Sequence, residues 1–429
     1  MEIGCYNKLR DKLCFWRRGI VLLLCCVSQA LCATEVQYQG HLKYEYEGYA
    51  FSEQSVYREL YGQHQLNQTA QFRYHLGSQW QSGWLAEADY QLLAGYGEHR
   101  FQLTPLADGY LGLSAVIDDE QRLFNLTHTI SEHRDFMMLQ RLDRAIVGYQ
   151  TDNNVIKLGR QAITWGNGLF FNPMDFVNPF DPTSLDKEYK TGDDMMYGQH
   201  LLADGSDLQA AYVVRRNHDS DVTYNVATAA LKYHGFSHYI HEYELLVAEH
   251  YGDTVAALAS IISVGGAIWA TDLVVTLGEQ DYLSLVSNWS YSWVGLEKNM
   301  TGSLEYFYNG LGITDGDYSL ESLRQHPQLL EKIQRGELYN LSRDYLASSL
   351  YIEMTPLWSL SQNLFYNVPD NSALYQLLSL NNLSDELRLT TALSLPIGAK
   401  GTEYGGLKFD DGQYFSFELS LYMQLAWYF

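Results

Sequence analysis

The last residues of the chain alternate between apolar and polar positions without a break. From Phe415 to Phe429 every odd position is apolar, whereas the even positions are mostly polar. Because successive side chains of a strand point to opposite faces of a sheet, the segment predicts a strand with one continuous apolar face. Chain ends usually fray. The unbroken alternation predicts that this one is instead held in a sheet.

The same alternation recurs along the chain. Apolar sets at Val36–Tyr46, Ala70–Leu76, Trp84–Leu92 and Leu387–Leu395 are interleaved with polar residues. Further candidate strands lie at 138–150, 154–165, 194–203, 207–216, 223–234, 238–250, 282–294, 301–309, 344–353 and 357–367. Segments of about ten alternating residues are typical of transmembrane barrels. The pattern predicts an all-β protein, a transmembrane antiparallel β-barrel of about 16 strands within a range of about 14–18.

A soluble β-sandwich is the alternative that such alternation allows. Strands average about 5–6 residues in ordinary sheets, however, and many of these segments are longer. The 34 Tyr and 9 Trp are spread along the whole chain, as aromatic girdles at two membrane surfaces require. The barrel is therefore the favoured fold.

One uncharged stretch, Thr254–Thr271, has the length of a membrane-spanning helix. Gly265 and Gly266 lie near its middle, where a tight hairpin turn favours glycine. We therefore expect two strands joined by a short turn.

Two longer segments interrupt the strands, one from Gly166 to about Asp193 and one over residues 310–343. In the second, Ser319 is a candidate helix N-cap, Pro327 interrupts the helical pattern and Gly336 can end it. The sequence thus predicts long loops with a short helical insertion, which either covers the barrel surface or plugs its lumen.

Residues 1–33 have the features of a signal peptide. Five basic residues precede the apolar run Gly19–Val27, and small residues follow it, so cleavage is expected after Ala30, Cys32 or Ala33. All five cysteines lie in this leader, which excludes a disulfide framework in the rest of the chain. We therefore expect residues 34–429 to form a single barrel domain of an exported protein.

The net charge of the whole chain is −23. The leader carries five basic and two acidic residues, so residues 34–429 carry −26. An acidic balance of this size argues against nucleic acid as a partner, because binding phosphates needs clustered Lys and Arg.

The densest motif runs from Lys157 to Pro182, K-L-G-R-Q-A-I-T-W-G-N-G-L-F-F-N-P-M-D-F-V-N-P-F-D-P. Its prolines push the preceding residues toward extended geometry, and its glycines permit sharp turns. The motif predicts a compact irregular loop followed by a short helix from Asp181 to about Glu188. The residues expected to shape this loop are Trp165, Gly166, Gly168, Pro173 and Pro179.

Part of this motif, G-R-Q…W-G…N-P-x-D-x-x-N-P over Gly159–Pro179, resembles a signature of porin-like outer-membrane β-barrel proteins of Gram-negative bacteria. The function of that family is not established, and the match covers about residues 157–197. The resemblance implies the barrel fold, the cell outer membrane and, for some members, work beside an inner-membrane exporter of the resistance–nodulation–division type. It implies no catalytic residue.

Basic residues next to the motif and acidic residues within it suggest a constriction. If the loop folds into the lumen, its acids can pair with arginines of the preceding strands and place fixed charges across a channel. The alternatives are that these pairs only hold the loop in place, or that they form a docking surface for a partner. The candidate residues are Arg141, Arg144, Arg160, Asp175 and Asp181.

Sites for chemistry are not indicated. The histidines at 238, 241 and 250 lie near glutamates, but without the H-E-x-x-H spacing of a helical zinc site, and they fit a lumen-facing polar row better. We therefore expect no metal, no cofactor and no catalytic residue. The C-terminal Leu425, Trp427 and Phe429 resemble the signal read by the outer-membrane insertion machinery.

The sequence therefore predicts passage of a solute or an export substrate across the outer membrane, with membrane lipid and the insertion machinery as partners. A plugged barrel that serves as an assembly or docking element of an envelope export system is the first alternative. An outer-membrane hydrolase is the second.

Overall fold

The computed structural model of the chain describes residues 35–97, 119–237, 241–410 and 412–429. The predicted signal peptide lies outside these residues, as does His238. In chain order the strands are β1 (Glu35–Ala50), β2 (His64–Gln79), β3 (Trp84–Tyr96), β4 (Thr127–His133), β5 (Phe136–Gln150), β6 (Asn154–Gln161), β7 (Asp193–Leu201), β8 (Asp207–Val213), β9 (Thr228–Phe236), β10 (Glu242–His250), β11 (Asp253–Val264), β12 (Ala267–Leu277), β13 (Tyr282–Gly295), β14 (Lys298–Asn309), β15 (Asp344–Thr355), β16 (Trp358–Asn367), β17 (Ser372–Asn382), β18 (Leu387–Ile397), β19 (Leu407–Asp410), β20 (Gln413–Phe415) and β21 (Leu419–Tyr428).

Eighteen of these strands, counted over the described residues, form one closed antiparallel barrel. β3 pairs with β5 and β18 pairs with β21, while the other ring strands pair with their chain neighbours. β21 also pairs with β1 and so closes the ring. β4 lies beside β5, and β19 and β20 form a separate hairpin. The predicted all-β antiparallel barrel is confirmed, with 18 strands rather than about 16.

β17 is the strand of the closed ring that the alternation pattern missed. Leu374, Leu378 and Leu380 share a face with Gln376, which contacts the barrel interior, while Tyr375 and Leu377 point the other way. Because both faces carry apolar residues, no period of two is visible in this segment.

The outer surface is apolar and the inner surface is mixed or polar, as the C-terminal strand illustrates. Leu421, Met423 and Leu425 are 46%, 43% and 42% exposed, whereas Tyr422 and Gln424 between them are buried. The chain end is held in the sheet, because Gly40 and Phe429 exchange two backbone hydrogen bonds of 2.8 and 3.0 Å. The uncharged stretch around Gly265 is a hairpin of β11 and β12, as expected.

The two ends of the barrel differ in their connections. Turns at 80–83, 151–153, 202–206, 265–266, 296–297, 356–357 and 383–386 are short, and we call this the short-turn end. The opposite, long-loop end carries the segments 51–63, 162–192, 214–227, 310–343 and 398–418. The two ends of the described chain, Glu35 and Phe429, both lie at the short-turn end.

The helices are short and lie at the long-loop end: α1 (Val56–Tyr61), α2 (Leu320–Arg324) and α3 (Pro327–Gln334). Ser319 caps α2 by accepting a hydrogen bond from the N–H of Ser322, so the helical insertion is confirmed. Over the described residues, every helix is too short or too polar to cross a membrane.

The helix expected after Asp181 is absent, and that prediction is wrong. The carboxylate of Asp181 instead accepts hydrogen bonds from the N–H and the hydroxyl of Thr183 at 2.7 and 2.8 Å. Such local bonds offer the backbone an alternative to a helix.

Candidate functional site

The chain leaves the barrel wall after β6 and returns at β7, and residues 162–192 between them cross the interior; we call them the lumen loop. Gln161 is the last residue of β6 that pairs with β7. Gly166 has φ +86°, a conformation that favours glycine. A Cβ atom on Gly168 would overlap the carbonyl oxygen of Phe171. The two glycines therefore permit the sharp turn into the lumen.

Two carboxylates of the far wall hold the start of the lumen loop by its backbone. Glu305 on β14 accepts the successive N–H groups of residues 169–171 at 2.6, 3.0 and 2.8 Å. Asp272 on β12 accepts the N–H of Asn167 at 2.7 Å. Both carboxylates are fully buried. Convergent N–H groups of this kind form a favourable site for an anion, so the loop start and the wall stabilise each other.

Aromatic packing fixes the same part of the lumen loop. The ring of Phe171 stacks on Phe307, with centroids 4.8 Å apart, and lies 5.5 Å from Tyr345. Phe170 meets the ring of Phe365 edge to face at 5.3 Å. These contacts join the lumen loop to β14, β15 and β16 through buried rings, which contribute both apolar burial and a favoured geometry.

Ion pairs hold the other end of the lumen loop against β1 and β2. The Nζ atom of Lys43, which is 1% exposed, lies 2.6 Å from Asp186 and 2.7 Å from Glu188. Burial alone would raise the pKa of Asp186, but the Lys43 ammonium and the hydrogen bonds that the carboxylate accepts together hold that pKa below its usual value. The guanidinium of Arg73 lies over the ring of Tyr189 at 4.2 Å.

An internal ion pair braces the lumen loop. Lys190 and Asp175 are 2.5 Å apart, and the side chain of each is 5% exposed. Lys190 also donates to the carbonyl oxygen of Ile163. Burial raises the pKa of Asp175 to about 6, an effect that the Lys190 ammonium only partly offsets.

The lumen loop touches strands around the whole ring. Besides the contacts above, Trp165 donates to Gln209 on β8 at 2.9 Å, and Gln376 on β17 donates to the carbonyl oxygen of Thr183 at 2.9 Å. Gln424 on β21 donates to Asp186 at 2.8 Å. The strands contacted include β1, β2, β5, β8, β12, β13, β14, β15, β16, β17 and β21. The loop therefore runs across the lumen rather than along one wall.

Arg144 and Arg160, expected to meet the loop acids, pair with aspartates outside the lumen loop instead. Arg160 is 2% exposed and donates to Asp119 and Asp194, each at 2.9 Å. Arg144 donates to Asp143 at 2.8 Å. Arg160 thus lies in a seam between β6, β7 and the segment 119–126 that precedes β4.

The remaining predicted residues fall in different places. Arg141 donates to Gln91 on the neighbouring strand at 2.6 Å. Arg144 reaches the lumen loop through the carbonyl oxygen of Lys190. Asp175 and Asp181 bond within the loop, as described above. The structure thus brings Arg144 to the loop, and it separates Arg160 from both loop acids.

The prolines lie where the lumen loop meets other segments. The carbonyl oxygen of Pro179 accepts a hydrogen bond of 3.1 Å from Tyr339, which belongs to the 310–343 segment. Pro173 precedes Met174, which is fully buried against Trp165 and its neighbours. The C-terminal Leu425, Trp427 and Phe429 lie on the outer face and are 42–45% exposed.

Two further segments cover the long-loop end. The 310–343 segment has its own apolar cluster and reaches the wall through Lys332, which is 3.1 Å from Glu337 and 3.6 Å from Asp253. In the 398–418 segment, Glu403 accepts hydrogen bonds of 2.6 Å from both Tyr345 and Asn367. Burial raises the pKa of Glu403 to about 7.

A Thr–His–Glu arrangement at this end does not make a nucleophile. The hydroxyl of Thr228 is 2.7 Å from His250 Nδ1, and His250 Nε2 is 3.1 Å from Glu337. Thr228, however, has no exposed surface, and its oxygen already accepts a hydrogen bond from Arg215. A substrate has no access to that oxygen, and a nucleophile must reach its substrate.

Sequence reasoning missed the residues that hold the lumen loop: Asp272, Glu305, Lys43 and Lys190. One signal was available, since Asp272 is the single charged residue of β12 and falls on its inward-facing positions. Over the described part of the chain, no cluster of His, Cys, Asp and Glu is arranged to hold a metal ion.

No family model matches the chain, and no curated protein matches it. Solved structures do. Acinetobacter baumannii OccAB1 shares 7% identity at a TM-score of 0.53, covering 93% of this chain and 97% of that one. Pseudomonas aeruginosa OccK5 (OpdH) shares 8% identity at a TM-score of 0.53, covering 92% and 98%. Acinetobacter baumannii OccAB4 shares 7% identity at a TM-score of 0.51, covering 92% and 98%. At these identities the likeness is one of fold: the chain has the barrel architecture of the Occ proteins over nearly its whole length.

Proposed function

We propose that this protein is an outer-membrane channel of the porin type, in which the lumen loop controls the passage of a solute or an export substrate. The observation that carries the proposal is a polar-lined barrel with an apolar outside, crossed by one loop. In lipid every backbone polar group needs an internal partner, which a closed barrel provides. The solved structures that this chain resembles are outer-membrane porins, which supports the proposal.

The arrangement of turns agrees with an outer-membrane orientation. In bacterial barrels the short turns lie on the periplasmic side and the longer loops outside the cell. On this basis the short-turn end faces the periplasm, and the 310–343 and 398–418 segments face the outside. The exposed C-terminal Leu425, Trp427 and Phe429 would then be read by the insertion machinery from the periplasm.

Conductance in planar lipid bilayers tests the proposal. The purified wild type is compared with a variant in which residues 166–188 are replaced by a Gly–Ser linker. We expect discrete conductance steps for the wild type and several-fold larger steps for the variant, because the linker lacks the wall contacts that hold the loop across the lumen. If neither protein conducts after its insertion is verified, the channel proposal fails.

A plugged barrel that docks onto an envelope export system is the second candidate. It is favoured by the anchoring of the lumen loop to opposite walls, at Glu305 on one side and Lys43 on the other. A silent wild type combined with a conducting linker variant would support this candidate. The inner-membrane exporter suggested by the sequence resemblance would be its partner, and site-specific cross-linking from the short turns, such as residues 296–297, tests that partnership.

Of the three arginines predicted to form a constriction, we keep two. Arg144 lies beside the lumen loop, so we propose that it and the neighbouring Arg141 contribute fixed charge to the permeation path, whereas Arg160 acts in the wall. Ion selectivity measured on two variants separates these roles. We expect Arg144→Gln to shift the selectivity and Arg160→Gln to leave it unchanged.

A further inference from the structure

The inner wall of the barrel differs strongly between its two halves. The inward face of each strand is identified by the residue that contacts the lumen loop: Asp272 on β12, Asn288 on β13, Glu305 on β14, Phe365 on β16 and Gln376 on β17. Because side chains alternate along a strand, every second residue from these positions faces the lumen. The ring of Tyr345 serves the same purpose for β15.

Between the lumen loop and the short-turn end, the inward positions of β12–β17 carry almost no charge. They consist of hydroxyl, amide and apolar side chains, namely Ile268, Ala270, Ser290, Ser292, Val294, Asn299, Thr301, Ser303, Ala347, Ser349, Tyr351, Ser359, Ser361, Asn363, Leu378, Leu380 and Asn382. The one charged member is Glu353 at the rim, which accepts a hydrogen bond of 2.8 Å from Asn299. We call this surface the uncharged wall.

The opposite half of the same space is densely charged. On β1, β2, β3 and β6 the inward positions carry ion pairs, including Arg73 with Asp89 at 2.6 Å and Lys157 with Glu87 at 3.1 Å. A cavity of about 360 Å³ lies here beneath Tyr189, so the space below the lumen loop is not filled. The two halves therefore offer a solute two different environments.

The rim at the short-turn end is divided less sharply. Above the uncharged wall the turns expose aliphatic side chains next to the charged Glu297, Asp385 and Glu386: Val294 is 72% exposed, Leu296 90%, Leu357 59% and Leu383 56%. The turns of the other half expose polar residues, namely Gln81, Ser82, Asp152, Asn153 and Asp204. The aliphatic residues of the rim continue the uncharged wall, so that apolar and hydroxyl side chains run from the mouth to the lumen loop.

We propose that the uncharged wall binds an uncharged amphipathic solute, one with an aliphatic or alicyclic body and a few hydroxyl or carbonyl groups. This inference rests on the proposed function and names its substrate class. Hydroxyl side chains both donate and accept hydrogen bonds, so they match such groups on a solute. The aliphatic positions gain from covering an apolar body. A charged solute would lose hydration against this wall without meeting a counter-charge, which is costly.

The test uses cysteine protection in the full-length mature protein held in lipid nanodiscs. The sequence has no cysteine beyond residue 32, so Ser361→Cys on the uncharged wall gives a defined thiol, and the parent protein reports any background. Gln39→Cys on the inward face of β1 is the matched control on the charged half. The rate of alkylation by a small maleimide is measured with four probes: hexyl glucoside, glucose, hexyltrimethylammonium and hexyl sulfate.

We expect hexyl glucoside to slow alkylation of the thiol at 361 roughly tenfold when it is present at about ten times its Kd. Glucose and the two charged hexyl compounds should leave the rate nearly unchanged, as should every probe at position 39. Ser303→Asp, added to the Ser361→Cys protein, should abolish the protection, whereas Ser82→Asp on a polar turn should not.

Equal protection by hexyl sulfate or hexyltrimethylammonium, or protection that survives Ser303→Asp, would overturn the inference. Absence of protection by hexyl glucoside would overturn it as well. The binding measurement does not depend on current through the barrel. If the protein conducts but hexyl glucoside gives no protection, the channel proposal stands and the substrate class is refuted. If hexyl glucoside protects the thiol but the protein is silent in bilayers, the binding site stands and the channel proposal is refuted.

Discussion

The hydrogen bonds at Glu305 provide the sharpest test of how the lumen loop is held. Three successive N–H groups, those of residues 169–171, converge on this one buried carboxylate. Glu305→Ala removes the acceptor and leaves the three donors in a buried site. An unsatisfied buried donor costs about 1–3 kcal/mol. Because the three bonds share one acceptor and are not additive, we expect the held state of the loop to lose about 3–6 kcal/mol in total.

Glu305→Gln is the milder change. One oxygen is retained, so the bonds from residues 170 and 171 can persist, but the amide NH₂ then faces the N–H of Leu169. The loss is one charge-assisted bond, with a donor placed against a donor, and we expect it to cost about 2–3 kcal/mol. The ranking wild type, Gln, Ala is therefore part of the prediction.

Hydrogen exchange of the amides of residues 167–171 measures this loss directly, because exchange there reports local opening. Since about 1.4 kcal/mol corresponds to a factor of ten, exchange should be roughly two to four orders of magnitude faster in Glu305→Ala. Glu353→Ala is the matched control, as Glu353 lies on the inward face of the next strand and contacts Asn299 at the rim. Unchanged exchange at residues 169–171 in Glu305→Ala, or equal acceleration in the control, would refute the anchoring role.

Three further predictions concern other contacts. Gly168→Ala should release the loop and raise conductance, because its Cβ would overlap the Phe171 carbonyl, whereas Gly198→Ala, which has room for a Cβ, should behave as wild type. Burial raises the pKa of Glu403 from 4.5 to about 7. The stability that the buried Glu403 contributes is therefore fully present below about pH 4.5, and about 3 kcal/mol of it is lost as the pH rises through 7. Hydrogen exchange of the neighbouring amides should rise over that range in wild type and stay flat in Glu403→Gln. Arg160→Ala removes the cation paired with the buried Asp194, while Asp119 keeps its ion pair with Arg122. Breaking a buried pair costs about 3–5 kcal/mol, so the heat-induced gel shift of the barrel should occur at a lower temperature, and a variant as stable as wild type would contradict the role of Arg160 in the wall.

The outer surface of this protein could be predicted from sequence because lipid imposes one rule on every strand. The apolar positions of β1 and β21 face outward as the alternation indicates, and the hairpin at Gly265 follows from its glycines. The prediction failed where the inner surface is apolar too. In β17 the inward Leu374 and Leu378 conceal the period of two, which is why the strand was missed.

For the inner surface, no single solvent requirement fixes the side chains of every strand. The partner of Lys43 is Asp186, 143 residues away, and Glu305 bonds backbone groups about 135 residues away. A charged side chain at an inward position can contact another strand, a loop or water. The alternation along the sequence is the same in each case, so it does not identify the partner. The sequence therefore located the lumen loop and its turns but assigned its acids to the wrong cations.

The two ends of the lumen loop are held by bonds of different kinds, which determines where it opens first. At residues 167–171 the acceptors are fully buried, whereas Asp186 and Glu188, which pair with Lys43, have side chains 30% and 31% exposed. Salt screens exposed charges more than buried ones, so opening should begin at the Lys43 end, next to the cavity beneath Tyr189. Raising the ionic strength should then accelerate hydrogen exchange at residues 186–190 before it does so at residues 167–171. The opposite order would place the hinge at Lys43 and the opening at Glu305.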